Sequence, residues 1–386
     1  MPVRDDPALR GGARRPKVLM IGPLPPPVGG MATVVGNLAE GFAGRVDLKL
    51  LNNVKTTAAD RRLWEGIAAQ LRLLGRLAGH CLGWRPDVVH VHTCSWFTFW
   101  RNAVDVLLAR LLGRRVVLHI HGAQFRGFLE GLSPAARQSA RVVFALAQRI
   151  VVLGEGWKAL LDPWADPHRV VVVPNGVPVP ERTAAGVRGG AAEPLRIVCL
   201  ANYERRKGQA DLLRAVARLT GPRPVRLELF GFEAEPGQRQ ALLDLARELG
   251  IAERVQVPGP VTGAAKDACL NAAGCFCLPS YDEGLPMSML EAMALGLPVV
   301  VSEVGSIPEA VSDGEEGLLY VAGDIEALAA HLQRVLDDPD RALAIGRAGR
   351  ARVQREFSLE RSVQRLLQVY GGLTGGGTEA DRAPLQ

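Results

Sequence analysis

The sequence predicts an α/β protein made of two doubly wound halves. Three observations carry that prediction. The chain opens with an apolar strand, a glycine-bearing loop and a helical pattern. Short apolar strands then alternate with helical segments. A stretch rich in Pro, Gly and Ala, residues 178–194, separates that alternation from a second one.

Lys17 to Gly22 (KVLMIG) is an apolar run ending at glycine. Prolines and Gly29-Gly30 follow, and a helical pattern runs from Met31 to Phe42. Further strands are expected at Asp87–His92, Val116–His121, Ile150–Leu153 and Val170–Val173. The second series is Leu195–Leu200, Leu227–Phe230, Val255–Val257, Cys275–Leu278, Val299–Val301 and Gly317–Leu319. Phe357 to Tyr370 is amphipathic at helical spacing. The resulting division is a disordered N-terminus (1–16), a first domain (17–178), a linker (179–194), a second domain (195–355), a closing helix (356–370) and a flexible tail (371–386). In paired domains of this type, ligands bind in the cleft at the carboxyl ends of the strands.

Composition narrows the function. The chain has 386 residues and is 48% hydrophobic, enough for two cores. Six scattered cysteines make neither a disulfide framework nor a paired CxxC pattern. There is no secretory signal and no charge-free apolar run of about eighteen residues, so a cytoplasmic location is expected. Residues 1–178 carry 23 basic and 12 acidic side chains, a balance of +11. Residues 179–386 carry 23 and 28, a balance of −5. A basic first half suits an anionic membrane surface or a phosphorylated acceptor. No recognised nucleic-acid module accompanies the charge, and nucleic acid is not expected as a partner. Arg61 to Arg85 is a basic amphipathic segment that fits either a membrane-surface helix or a helix packed on the first sheet. Trp96, Phe97, Phe99 and Trp100 fit either an acceptor cleft or the core.

The most informative stretch is Ser280 to Val301, SYDEGLPMSMLEAMALGLPVVV. It reads as loop, helix, loop, strand. Pro286 suits a first helical turn, Gly296 a C-terminal cap, and Pro298 stops the helix. The unpaired N–H groups at the start of that helix form a site for phosphate. Gly284 lets the chain approach a ligand. Glu283 precedes the helix and Glu291 lies about one and a half turns inside it, leaning back toward its N-terminus. A sugar, a diphosphate and a ribose would satisfy this order. The plain alternative is two solvated glutamates.

Glu283 and Glu291 within EGLPMSMLEAMALGLPVV resemble the E-x7-E signature of the retaining glycosyltransferases of family four. That resemblance spans about Lys17 to Tyr370. It implies the GT-B fold, two Rossmann-like domains facing across a cleft, with the closing helix returning to the first. It implies a nucleotide-diphosphate sugar donor, UDP- or GDP-linked, with no cofactor, no metal and retention at the anomeric carbon. The first domain would bind a glycan or lipid-linked acceptor for cell-surface polysaccharide or glycolipid synthesis. The enzyme would be cytoplasmic or peripheral on the inner face of the membrane.

Residue by residue, the resemblance implies that Glu283 holds the donor sugar and Glu291 the ribose. Gly284, Leu285, Pro286 and Met287 form the turn at the diphosphate. Gly29-Gly30 resembles the glycine loop facing the donor phosphates, with a tight turn as the alternative. Lys207, in NYERRKG, matches a cationic phosphate clamp. The family's arginine is replaced by Asn202, which leaves Arg205 or Arg206 as the second cation. Gly231 is placed near the base; Phe232 departs from the family pattern. His121, ending VVLHIHG, is placed near the reacting sugar, whereas His119 reads as a core histidine. His90 and His92 share one strand face. The two histidine pairs sit on separate strands without an acidic partner, so no zinc site is read from them. Pro174-Asn175-Gly176-Val177 reads as a structural turn. Asp338-Pro339-Asp340 reads as a helix cap and not as a metal motif. A nucleotide-sugar epimerase of similar fold and a non-catalytic nucleotide-sugar-binding scaffold remain as other readings.

Overall fold

The computed structural model describes residues 14–25, 29–54, 63–184 and 193–375. The first half runs β1 (Lys17–Gly22), α1 (Gly30–Gly41), β2 (Asp47–Asn52), α2 (Leu63–Gly79), β3 (Val88–Thr93), α3 (Phe97–Leu111), β4 (Arg115–Ile120), α4 (Phe125–Glu130), α5 (Pro134–Leu146), β5 (Arg149–Val152), α6 (Glu155–Leu161) and β6 (Val170–Val172). The second runs β7 (Leu195–Leu200), α7 (Gln209–Ala217), β8 (Val225–Phe230), α8 (Gln238–Glu248), β9 (Val255–Gln256), α9 (Gly263–Ala272), β10 (Cys275–Leu278), α10 (Met287–Ala294), β11 (Val299–Ser302), α11 (Ile307–Ala310) and β12 (Leu318–Tyr320). Three helices close it: α12 (Ile325–Asp337), α13 (Pro339–Arg352) and α14 (Leu359–Thr374).

Each half holds a six-stranded sheet, ordered β2-β1-β3-β4-β5-β6 and β12-β11-β10-β7-β8-β9, with parallel pairings throughout. Strands such as VVV (Val299–Val301) and CFCL are fully buried, as helices on both faces require. Burial pushes the Cys275 thiol up to about 12, as suits an inert core residue. Strand order reverses beside β1 and β7, and the crevices at their carboxyl ends face each other.

Most predicted strands recur with ends moved by one or two residues. Strand β2 was not predicted. It is an edge strand, DLKLLN, whose apolar run is broken by Lys49 and whose side chains are mostly half-exposed. The closing helix differs at both ends. A π-helical turn, Val353–Phe357, precedes it, and it continues to Thr374, four residues into the segment expected as a tail. It packs on the first half. Tyr370 is fully buried with its hydroxyl 2.5 Å from His90 Nδ1, and Arg45 grips both Glu360 oxygens at 2.9 and 2.7 Å. Residues 179–184 of the expected linker are packed too, with Ala184 buried and donating to Leu295 O at 2.8 Å. The remaining linker residues 185–192, the N-terminal 1–13 and the tail 376–386 lie outside the described residues.

Of the Arg61–Arg85 segment, Arg61 and Arg62 lie outside the described residues. Leu73 and Leu77 of α2 are buried against the first half, while Ile67 and Leu71 face solvent beside exposed Arg72 and Arg76. Val104, Leu107 and Leu111 of the neighbouring α3 are exposed as well. The aromatic group divides: Phe99 is buried, whereas Trp96 and Phe97 are exposed. No helix among the described residues is long and apolar enough to cross a membrane.

Candidate active site

The cleft holds a cavity of about 280 Å³ lined from both halves. From the first come Gly29, Gly30 and Thr33 at the start of α1. From the second come Asn202, Arg206 and Lys207 after β7, Gly231 and Phe232 after β8, Lys266 of α9, and Glu283, Pro286, Met287, Ser288 and Glu291 around α10. A side chain at Gly29 or Gly30 would meet nothing within 4 Å among the described residues.

Local chemistry builds the side of the cavity contributed by the second half. Pro286 caps α10 in extended conformation, one residue earlier than its expected place inside the first turn, and no side chain caps the helix. Gly296, at φ +76°, follows its C-terminus in the left-handed region that glycine tolerates. The loop into α10 is fixed from outside. Ser306 N donates to Gly284 O at 2.8 Å, and Asn175 Nδ2 donates to Leu285 O at 2.8 Å. Asn175, read from sequence as a turn residue, therefore ties the first half to this loop. Gly208 has φ +68°, and a Cβ there would collide with Pro279 O. That contact seats the Lys207 turn against the Glu283 loop.

Lys207 Nζ lies 2.6 Å from Glu283 Oε1, which also accepts from Ser280 Oγ at 2.7 Å. Both hydrogen bonds fall on Oε1. Lys266 Nζ lies 2.7 Å from Glu291 Oε1 in the same manner. Burial pushes the Glu291 carboxyl above its usual range, and the Lys266 charge opposes that shift. Arg206 pairs with Glu204 at 2.5 Å while lining the cavity.

Four sequence-predicted residues do not line this cavity. Arg205 points into a neighbouring depression with Asp211, Arg214 and Tyr281. Gly284 and Leu285 lie behind the lining, with Gly284 packed under Leu153 and near Gly122 N. His121 is buried, and its Nε2 lies 2.9 Å from His92 Nδ1. Burial pushes His121 down to about 3, so it is neutral at neutral pH.

Strands β3 and β4 are neighbours, which brings together histidines that the sequence separates. His90, His92 and His119 have ring nitrogens within 4.8 Å of one another. The rings stack, with His90 against His92 and His119 and His92 against His121, and hydrogen-bond in pairs. The Asp338 motif is a cap, its side chain accepting from Arg341 N at 2.9 Å.

Sequence reasoning missed Lys266, Ser280, the tie made by Asn175, and Glu309. Glu309 reaches across the cleft and accepts from Glu155 N at 2.7 Å and Gly156 N at 3.1 Å. Lys266, Asn175 and Glu309 have no local signal, because their partners lie 25, 110 and 154 positions away, whereas Ser280 lies only three positions before Glu283.

Two family models match the chain: "Glycosyl transferase 4-like domain" over residues 29–176 and "Glycosyl transferases group 1" over 187–352. Among curated proteins, the D-inositol 3-phosphate glycosyltransferase 1 of Catenulispora acidiphila is 31% identical over 312 residues, covering 75% of this chain and 73% of that one. The glycogen synthase of Mycobacterium tuberculosis is 29% identical over 322 residues, covering 79% and 72%. Among solved structures, Anabaena HepE in complex with UDP-glucose superposes with a TM-score of 0.72 at 19% identity, covering 92% of this chain and all of that one. A likeness at that identity speaks to the fold, which is the two-domain GT-B arrangement.

Proposed function

The chain belongs to the glycosyltransferases that these two family models describe, and we propose that it moves a sugar from a nucleoside-diphosphate sugar to a glycan or lipid-linked acceptor, with retention and without a metal. The observation that carries this reading is the convergence of the Lys207–Glu283 pair, Glu291 and the uncapped start of α10 on one cavity.

Each group has a role that its chemistry suits. The free N–H groups at Met287 and Ser288 meet the diphosphate. Lys207 neutralises charge that grows on the departing diphosphate, and it needs no reorganisation because Glu283 already holds it in place. Glu283 offers its second oxygen to a hydroxyl of the donor sugar, and Glu291 accepts from the ribose. His121, expected near the reacting sugar, lies outside the cavity lining with Nε2 beside His92, and no contact with the donor is assigned to it. Lysines and helix N–H groups supply the positive charge that a metal supplies in other sites, which supports metal independence. The acceptor hydroxyl attacks the anomeric carbon from the face the diphosphate leaves, and its proton passes to the departing phosphate oxygen, so no protein nucleophile is required. UDP is the first donor base to try, since HepE was solved with UDP-glucose. Exposed Ile67, Leu71, Leu107 and Leu111 beside Arg72 and Arg76 support docking of the first half on an anionic membrane, where a lipid-linked acceptor lies.

The test is turnover with UDP- and GDP-sugars in the presence of EDTA, with the anomeric configuration of the product read by NMR. Transfer with inversion would overturn retention, and loss of turnover in EDTA would overturn metal independence. An unchanged Glu283→Ala variant would favour a scaffold.

A further inference from the structure

Three cations line the cavity among the described residues: Arg206, Lys207 and Lys266. Arg206 is tied to Glu204 and Lys207 to Glu283. Asn202, beside them after β7, carries no charge. Lys207 pairs with the glutamate assigned to the sugar, and Lys266 with Glu291, the one assigned to the ribose.

On the functional reading above, Glu291 accepts from the ribose hydroxyls. Lys266 Nζ already occupies Oε1 of that carboxylate at 2.7 Å. A ribose that uses both oxygens must displace the ammonium or share it. Lys266 has a side-chain exposure of 25% and Glu291 of 16%, so a displaced ammonium turns either to water or to another anion in the cavity. The donor brings one. Glu291 lies four residues along α10 from Met287, a rise of about 6 Å, which is within the sweep of a lysine's four-carbon stem. Lys266 also sits in the first turn of α9, where the helix dipole disfavours a cation. A position unfavourable to its own helix is explained by a partner outside it.

We propose that Lys266 is a donor-binding residue that exchanges Glu291 for the phosphate next to the ribose as a nucleoside diphosphate enters the cavity. In the empty site it neutralises Glu291. In the loaded site it supplies the cation that Asn202 does not. A lysine suits this better than an arginine, because a compact ammonium on a flexible stem can swing between two single-point partners.

The test compares nucleotide with nucleoside. UDP, GDP, uridine and guanosine are titrated into the full chain and into its Lys266→Met and Lys266→Arg variants, by calorimetry for the nucleotides and saturation-transfer NMR for the nucleosides. Lys266→Met should weaken the bound diphosphate by about 10–100-fold, the size of one charge-assisted hydrogen bond. Its nucleoside affinity should be unchanged or tighter, because Glu291 is freed for the ribose. Lys266→Arg should keep nucleotide affinity within about 10-fold, which also guards against misfolding of the Met variant. Equal losses for nucleoside and nucleotide would reduce Lys266 to a prop for Glu291 and overturn the exchange. No loss for either would overturn it too. If the unmodified chain binds neither UDP nor GDP, the donor reading itself fails first.

Discussion

Lys207 and Glu283 form an ion pair of 2.6 Å with side-chain exposures of only 13% and 9%. The two lie 76 positions apart in the chain, and the Gly208–Pro279 contact brings their loops together. Removing one partner of such a pair leaves a buried charge without compensation. Glu283→Gln should therefore cost about 3–5 kcal/mol of stability as well as activity. The double variant Lys207→Met/Glu283→Gln should recover most of that stability and none of the turnover. Denaturant unfolding beside a transfer assay separates the two effects. Recovery of turnover in the double variant would remove both residues from the chemistry.

The contact between the two loops is itself testable. Gly208→Ala combines a left-handed φ of +68° with a collision at Pro279 O. It should destabilise by more than about 1 kcal/mol and weaken donor binding, because Lys207 moves with its turn. A variant of unchanged melting temperature and donor affinity would contradict this packing.

The stacked histidines predict acid lability. Burial pushes His90 and His121 from 6.5 down to about 3, and His92 and His119 well below 6.5. In the window between about 6.5 and 3, the unfolded chain holds protons that the folded chain excludes. The histidine contribution to stability is therefore intact above pH 6.5 and falls as the pH drops, by about 1.4 kcal/mol per pH unit for each imidazole. Asp105, raised to about 7 by burial, acts in the opposite sense and offsets one of the four; Glu291 and Asp282, also raised by burial, oppose it over their own ranges. The net expectation is a melting temperature that drops steadily from pH 6.5 to 5. His119→Thr should flatten the slope, and a flat profile in the unmodified chain would contradict the buried neutral stack.

Glu309 latches the halves by accepting two backbone N–H groups at the start of α6. Glu309→Ala should leave those donors to water and favour an open cleft. Small-angle scattering should report a larger radius of gyration, and the donor KM should rise while the fold persists. An unchanged radius and KM would show that the latch is incidental.

Membrane docking makes its own prediction. The chain should co-sediment with vesicles containing anionic phosphatidylserine and not with neutral ones. Leu71→Asp/Leu107→Asp should abolish that without changing the melting temperature by more than about 2 °C, since both side chains are exposed. Equal binding to neutral vesicles would remove the electrostatic part of the reading.

Most of the architecture was legible because helix and strand periods alternate cleanly from Lys17 onward. Glu283 and Glu291 stood out because they sit in a local pattern of loop, glycine and helix start, and Lys207 because NYERRKG resembles the family's phosphate clamp. Strand β2 was hidden by its edge position, where burial on one side does not force a continuous apolar run. Arg205 and Arg206 could not be told apart by sequence, because a tight 3-10 turn decides which one faces the cavity. Lys266, Asn175 and Glu309 were invisible for a different reason. Their roles arise only when distant segments meet, and a lysine in an ordinary helix carries no mark of the glutamate it will face.

The most direct test of the account is calorimetric titration of UDP and GDP, in EDTA, into the unmodified chain and its Lys207→Met variant. The account predicts saturable one-site binding of one nucleotide by the unmodified chain, weakened about 10-fold or more by the substitution. Absence of binding by the folded chain, or binding that Lys207→Met leaves unchanged, would contradict the placement of the donor diphosphate in this cavity.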